Sequence, residues 1–260
     1  LNKYGHRRGW PTAVWLLALS GCLMLGAGCG SRNPHTVGSF ERGLFWLDKG
    51  RYQEAADAFG AFVRQNPTDS LAAQAQFEKA RAYMQNREYP LAAVEFQILV
   101  KDYPISPLVE AALFHQGECY FRQVGRVERD VTPAYEARVQ WLEFSRRYPQ
   151  SDYMPQVRQY METIADLMVK KRLQRVQVYR QLRRWDAVAL SLDRTLQEEP
   201  TSRLLDEVLW QRGQVAERLG DPQRATQVYQ RLLEEFPASG YRNRARSALD
   251  RLAAGGGGEP

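Results

Sequence analysis

His115, Glu118 and Cys119 are the three residues of this chain whose types and spacing could do chemistry together. Positions 115 and 119 share one face of a helix, and an imidazole beside a thiol suits either a metal pair or a nucleophile with its base. Zinc asks for three or four converging ligands, and the remaining histidines, His6 and His35, both belong to the N-terminal stretch. A Cys–His nucleophile also needs an oxyanion hole and a cause for thiolate formation, and the sequence offers neither. Cys119 is therefore expected at a small, buried packing position, with no catalytic residue and no metal. Gly26, Gly28 and Gly30 imitate the spacing of a phosphate loop, but no strand precedes them and no helix pattern follows.

The elements that could position any site follow from composition. The chain has 260 residues, 44% hydrophobic and 25% charged, which fits one or two folded domains and excludes wholesale disorder. Three cysteines exclude a disulfide scaffold, and two of them, Cys22 and Cys29, close an apolar N-terminal segment. Lys3, Arg7 and Arg8 precede nineteen uncharged residues, Trp10 to Gly28, the plan of an export signal. That length could also just span a bilayer as an uncleaved anchor. Leu19-Ser20-Gly21-Cys22 resembles the lipobox of bacterial lipoproteins, and Gly26-Ala27-Gly28-Cys29 matches it less well, with Gly26 where Leu is preferred. The resemblance implies a signal peptide over residues 1–21, or 1–28 in the alternative. It also implies a diacylglycerol and an N-acyl chain on Cys22, or on Cys29, and no other cofactor. Neither cysteine is followed by Asp, the inner-membrane retention residue of many such lipoproteins, so the implied address is the outer membrane.

Beyond a flexible linker expected over residues 22–37 the chain repeats. Asn66-Pro67, Tyr103-Pro104, Tyr148-Pro149, Glu199-Pro200 and Phe236-Pro237 recur at intervals of 37, 45, 51 and 37 residues, four of them with Ser two residues after the proline. Each proline ends an amphipathic stretch, and each serine is placed to cap the next helix. Gly43, Gly50, Tyr52, Ala55, Phe59 and Pro67 stand where a tetratricopeptide (TPR) unit needs small, turning and bulky residues. Ala80, Tyr83, Tyr89, Ala92, Phe96 and Pro104 repeat the register, as do Gly213, Gly220, Ala225, Tyr229 and Pro237.

The fold expected is all-α, a five-unit TPR-like helix-turn-helix solenoid. Units 1 and 2 fill residues 38–104, and unit 3 fills 105–149 with about eight extra residues between its helices, around Arg122 to Pro133. Units 4 and 5 fill 150–252, unit 4 opening with a long helix from about Pro155 to Leu182. A disordered glycine-rich tail is expected over 253–260.

The net charge of +6 is uneven. Residues 1–21 hold three basic groups and no acid, and residues 167–184 hold seven, Lys170, Lys171, Arg172, Arg175, Arg180, Arg183 and Arg184, again with no acid. The rest is mildly acidic. At 100° per residue the first four basic residues of that helix occupy one sector and the last three another. A nucleic-acid groove would want one continuous stripe with stacking aromatics, so no nucleic-acid partner is expected. A solvated face, an acidic partner surface or anionic head groups remain as readings of the helix.

Arg129-Asp130-Val131-Thr132-Pro133, followed by Ala137, Trp141, Phe144 and Arg146-Arg147-Tyr148-Pro149-Gln150-Ser151-Asp152-Tyr153, resembles the third repeat of the BamD (ComL/YfiO) family of outer-membrane lipoproteins. Thr132 suits an N-cap there and Pro133 the first helical turn. The resemblance spans about Phe40 to Leu252 and implies a non-enzymatic scaffold of the β-barrel assembly (BAM) complex. Such a scaffold is held by its lipid on the periplasmic face of the outer membrane. Its implied partners are a BamA-like barrel protein, bound through periplasmic domains, and nascent outer-membrane proteins. In TPR arrays the first helix of each pair lines the groove, which makes Phe45, Trp46, Gln76, Lys79 and Tyr83 candidate peptide contacts, with inter-repeat packing as the competing role. The basic helix is the candidate docking surface. Another periplasmic TPR lipoprotein, a Tol-associated cell-division coordinator or a pilotin, is the alternative.

Overall fold

Five prolines punctuate the chain, and the residue before each carries the mark of it. Asn66, Tyr103, Tyr148, Glu199 and Phe236 close their helices with φ between −133° and −123° and ψ between 52° and 62°. A following proline ring clashes with the helical conformation of its predecessor, so the chain must leave the helix there.

The computed structural model describes residues 33–125 and 130–255, and the signal segment with Cys22 and Cys29, the Arg126–Arg129 part of the insertion and residues 256–260 lie outside the described residues. From Thr36 onward the chain forms one unit. Among the described residues it is all-α, with eleven helices: α1 Phe40–Asp48, α2 Tyr52–Gln65, α3 Ala72–Gln85, α4 Tyr89–Asp102, α5 Val109–Arg122, α6 Thr132–Arg147, α7 Met154–Gln181, α8 Trp185–Glu198, α9 Leu205–Arg218, α10 Pro222–Glu235 and α11 Arg242–Gly255. Each packs on the next, the sequential pairing of a TPR-like array. Ten helices make the five pairs, and α11 follows the last pair and packs on α10. It runs to Gly255, three residues past the boundary that composition suggested.

Within units 1, 2, 4 and 5 the paired helices are joined by a single left-handed residue, Gly50 at φ 66°, Arg87 at 64°, Arg183 at 54° and Gly220 at 73°. Two of the four turns thus hold an arginine where glycine would be unstrained. In unit 3 the insertion separates α5 and α6, and no left-handed residue occurs between them among the described residues.

The serines after the prolines act one step earlier than caps. Ser106, Ser151, Ser202 and Ser239 accept the amides of Leu108, Tyr153, Leu204 and Tyr241 at 3.0–3.2 Å, and Asp69 accepts that of Leu71 at 2.8 Å. Leu71, Leu108, Tyr153 and Leu204 hold the cap positions and make no side-chain cap hydrogen bond. The short side chains fold the post-proline turn onto itself, which aims the next helix without touching its first turn. Thr132 likewise begins α6 rather than capping it, and Asp130 accepts its amide at 2.8 Å. Side-chain caps occur at Ser39, which accepts from Arg42 N at 3.3 Å, and at Asp221, which accepts from Arg224 N at 2.9 Å.

Inside each pair, volume on one helix is traded against volume on the other. A Cβ on Gly43 would stand 2.4 Å from Phe59, on Gly117 2.4 Å from Trp141 and on Gly213 2.2 Å from Tyr229. Phe59, Trp141 and Tyr229 are wholly buried in this way. Burying each is worth about 1.5–3 kcal/mol, so the glycine is a packing requirement rather than a flexible joint. Gly43 and Gly213 sit sixteen positions before their aromatics, as Ala80 does before Phe96, while Gly117 sits twenty-four before Trp141. The difference is the inserted segment.

Four buried clusters run along the array. One joins α1 and α2 to α3, and the largest joins α3 through α6 to the first half of α7, through Val157, Ile164 and Met168. A third takes Val169 and Val176 from the second half of α7 with α8 and α9, and the last joins α9, α10 and α11. The 28-residue α7 therefore belongs to two cores at once.

Candidate functional site

The His115 cluster is built into the fold. Cys119 is fully buried, and burial, reinforced by the charge of Glu118, pushes its thiol up to about 12. The thiolate needed for nucleophilic work is thus strongly disfavoured. Glu118 is hydrogen-bonded to His115 Nδ1 at 2.8 Å, accepts a hydrogen bond from the Tyr160 hydroxyl at 3.0 Å, and has Arg122 at 3.6 Å. Burial opposes its ionisation, but the hydrogen bonds from His115 and Tyr160 outweigh that and hold its carboxyl below the ordinary value. The cluster ties α5 to α7. Among the described residues no three His, Cys, Asp or Glu side chains are grouped to hold a metal.

The five groove candidates come from α1 and α3. Trp46 is 9% exposed and Gln76 2% exposed. Trp46 carries the Arg51 guanidinium over its ring at 4.5 Å and meets Phe45 edge-on at 5.1 Å. Gln76 donates to the carbonyl and carboxylate of Glu95 at 3.0 and 2.7 Å, and Lys79 pairs with the same carboxylate at 2.6 Å. Burial and then the charges of Glu95, Asp57 and Glu88 push the Tyr83 hydroxyl upward. Three of the five therefore gather around Glu95 of α4, a residue that no spacing in the sequence singles out. Phe45, Lys79 and Tyr83 remain partly exposed along this face.

The seven basic residues of the α7 region are separated by the structure. Lys170 and Arg175 are exposed, Lys171 is half-buried within reach of the Asp130 carboxylate, and Arg172 is ion-paired with Glu198. Arg172 and Arg175 line a cavity of about 260 Å³ with Tyr179, Leu190, Arg194 and Glu198. Arg183 occupies the left-handed turn, Arg184 precedes α8, and Arg180 points into a second cavity of about 470 Å³ with Trp185, Trp210, Glu217, Arg218 and Arg251. Arg194, Arg218 and Arg251 come from α8, α9 and α11. Sequence reasoning missed all three, because no local spacing connects them to α7.

Sequence comparison with curated proteins finds no match. The model of the YfiO family, described as an outer membrane lipoprotein, matches residues 35–230, well over half of the chain.

The chain belongs to the YfiO family of outer membrane lipoproteins.

The match of this YfiO-family chain begins before α1 and ends inside α10, so it takes in both basic cavities, save for Arg251. Among solved structures, the chain is similar to a thermophilic TPR protein in Thermus thermophilus, with 24% identity over 81% of this chain and 96% of that one, at a TM-score of 0.34. It is also similar to a tetratricopeptide repeat protein from Parabacteroides merdae, with 12% identity over 82% and 97% of the two chains, at a TM-score of 0.36. No helix among the described residues is long and apolar enough to cross a membrane.

Proposed function

We propose that this YfiO-family chain is a non-enzymatic scaffold of the β-barrel assembly complex, anchored by lipid on Cys22 to the periplasmic face of the outer membrane. The observation that carries this reading is the family match over residues 35–230. A continuous array of helix pairs supports it, because stacked pairs present an extended surface that suits peptide segments and folded partners alike. In this reading the face bearing Phe45, Lys79 and Tyr83 meets nascent outer-membrane proteins. The α7–α8 face bearing Arg172, Arg175 and Arg194 docks the periplasmic domains of a BamA-like barrel protein. The buried thiol of Cys119 and the engaged carboxylate of Glu118 support a chain that binds rather than reacts.

Affinity capture of the tagged full chain from detergent-solubilised envelope tests the reading. A BamA-like barrel protein is expected in the eluate, with recovery reduced when Arg175 and Arg194 are both changed to Glu. Recovery of Tol or pilus-secretin components without a barrel protein would overturn it. Mass spectrometry of the mature N-terminal peptide should find an acylated Cys22, a product lost in Cys22→Ser.

A further inference from the structure

The 470 Å³ cavity at the ends of α7, α9 and α11 contains positive charge that the fold leaves unbalanced. Arg180 is half-buried there, and its Nε is buried with no hydrogen-bond partner. Burial, and after it the like charge of Arg218, lower its affinity for its proton, while Glu207 offsets this only in part. Glu207 itself accepts a hydrogen bond from Gln211 at 2.9 Å. Arg218 lies over the Trp185 ring at 4.4 Å, so its position is set by stacking rather than by an acid. The carboxylate on the cavity wall, Glu217, is occupied by the Tyr229 hydroxyl and by Arg251 at 3.6 Å. Among the described residues neither Arg180 nor Arg218 has a carboxylate within ion-pair distance, whereas Arg224 and Arg231 of α10 and Arg251 of α11 each have one.

Two neighbouring guanidiniums, one with a desolvated donor aimed at nothing, are costly in isolation and favourable once an anion lies between them. We propose that this cavity binds a carboxylate side chain of an acidic peptide segment, clamped by Arg180 and Arg218, with Trp185 and Trp210 covering the apolar atoms beside it. The walls choose the occupant. Trp210 is held in a stack against Tyr241, at 5.9 Å and 16°, and Val215 completes an apolar surface that a free inorganic anion would not use. A volume of 470 Å³ accommodates a side chain with part of its neighbour. The planar fork of arginine matches a carboxylate in two-point geometry. The site is separate from the α7–α8 docking face, so it goes beyond the assembly reading and does not depend on it.

Calorimetric titration of the detergent-solubilised full chain tests the site with three probes: acetyl-Glu-Leu-Glu-amide, its Gln-Leu-Gln counterpart and inorganic phosphate. The Glu peptide is expected to bind at least about tenfold more tightly than the Gln peptide, and Arg180→Gln and Arg218→Gln should each weaken it about tenfold. Lys170→Gln, on another sector of α7, should leave it unchanged. Arg218 is exposed, so its variant keeps the test valid if Arg180→Gln melts early. The site is overturned if neither peptide binds, if both bind equally, or if both arginine variants bind like the parent. Phosphate that binds as tightly as the Glu peptide and displaces it would also overturn it, by making the occupant a free anion.

Discussion

Arg138 of α6 and Glu199 at the end of α8, sixty-one residues apart, meet in a two-point ion pair of 3.1 and 2.7 Å. Glu199 stands where units 2, 3 and 5 place Tyr103, Tyr148 and Phe236 before the proline, and only 3% of its side chain is exposed. A buried acid at an aromatic position is tolerable because α6 supplies the counterion from the preceding unit. Removing one member leaves the other desolvated and unpaired, which costs about 3–5 kcal/mol. Glu199→Gln and Arg138→Gln should each lower the urea midpoint strongly. Arg138→Leu combined with Glu199→Phe should recover most of the loss, since an apolar pair of similar size needs no partner. Equal losses in the double and single variants would show that the ion pair is not the cause.

Gly117 and Trp141 give a second expectation. Gly117→Ala places a methyl 2.4 Å from the indole nitrogen, which itself donates to the Phe114 carbonyl at 3.3 Å. Overpacking of this kind costs about 1–3 kcal/mol. Gly125→Ala, where nothing among the described residues lies within 4 Å, is the control and should be near neutral. The unit 4 equivalents are Val176 and Leu192 in one buried cluster, so Trp141→Leu should make Gly117→Ala less harmful than it is alone. A double-mutant cycle in urea measures that coupling.

Arg87 and Arg183 hold left-handed turns at φ 64° and 54°. Substituting glycine removes a backbone strain of about 1 kcal/mol, of which the greater freedom of glycine in the unfolded chain takes part back. Arg87→Gly is therefore expected to raise the melting temperature modestly. A fall would mean that the Arg87 side chain makes a stabilising contact that outweighs its backbone.

Stability should fall on the acid side for a nameable reason. Burial opposes the ionisation of Asp166, but the Ser202 hydroxyl at 2.8 Å and the Arg203 guanidinium at 2.6 and 2.9 Å outweigh it and hold its carboxyl below the ordinary value. Glu118 is held down by His115 and Tyr160 in the same sense. For depressed carboxyls the stabilisation is complete above the unfolded values, about 3.9 for Asp and about 4.3 for Glu, and disappears as pH falls through the folded ones. Thermal melts from pH 7 to pH 2 should show the loss setting in below about pH 4. Asp166→Asn should be less stable at neutral pH and have a flatter acid limb. An acid limb parallel to that of the parent would remove Asp166 from the account.

How much of this was legible depends on sequence separation. Helix ends were readable because proline acts on its immediate predecessor, and the glycine–aromatic pairs were readable because their spacing recurs at Gly43 and Phe59 and again at Gly213 and Tyr229. The serines misled by one step, since a hydroxyl can fold its own turn as readily as it caps a helix. Asp166 with Arg203, Arg138 with Glu199, and Arg180 with Arg218 were not legible. Each pair joins different elements, and the partner is chosen by packing between units rather than by any pattern within one. The groove candidates show the same limit. Periodicity placed Gln76 and Lys79 on the first helix of their pair, but only the fold shows both spent on Glu95.

The double membership of α7 decides how the chain can be divided. A fragment ending near Tyr153 would strip Val157, Ile164 and Met168 from the largest core, and one beginning near Val169 would leave Ser202 and Arg203 without Asp166 and Glu199 without Arg138. Neither half is a separable module, although ten of the eleven helices have the length of ordinary repeat elements or less. Fragments made for crystallisation or partner mapping should keep residues 154–181 whole, and proteolysis that nicks this helix should release both ends together rather than trimming one. One helix ties the α3–α6 core to the α8–α9 core, so these two cores are expected to unfold as one cooperative block where a plain stack of repeats would unzip in steps.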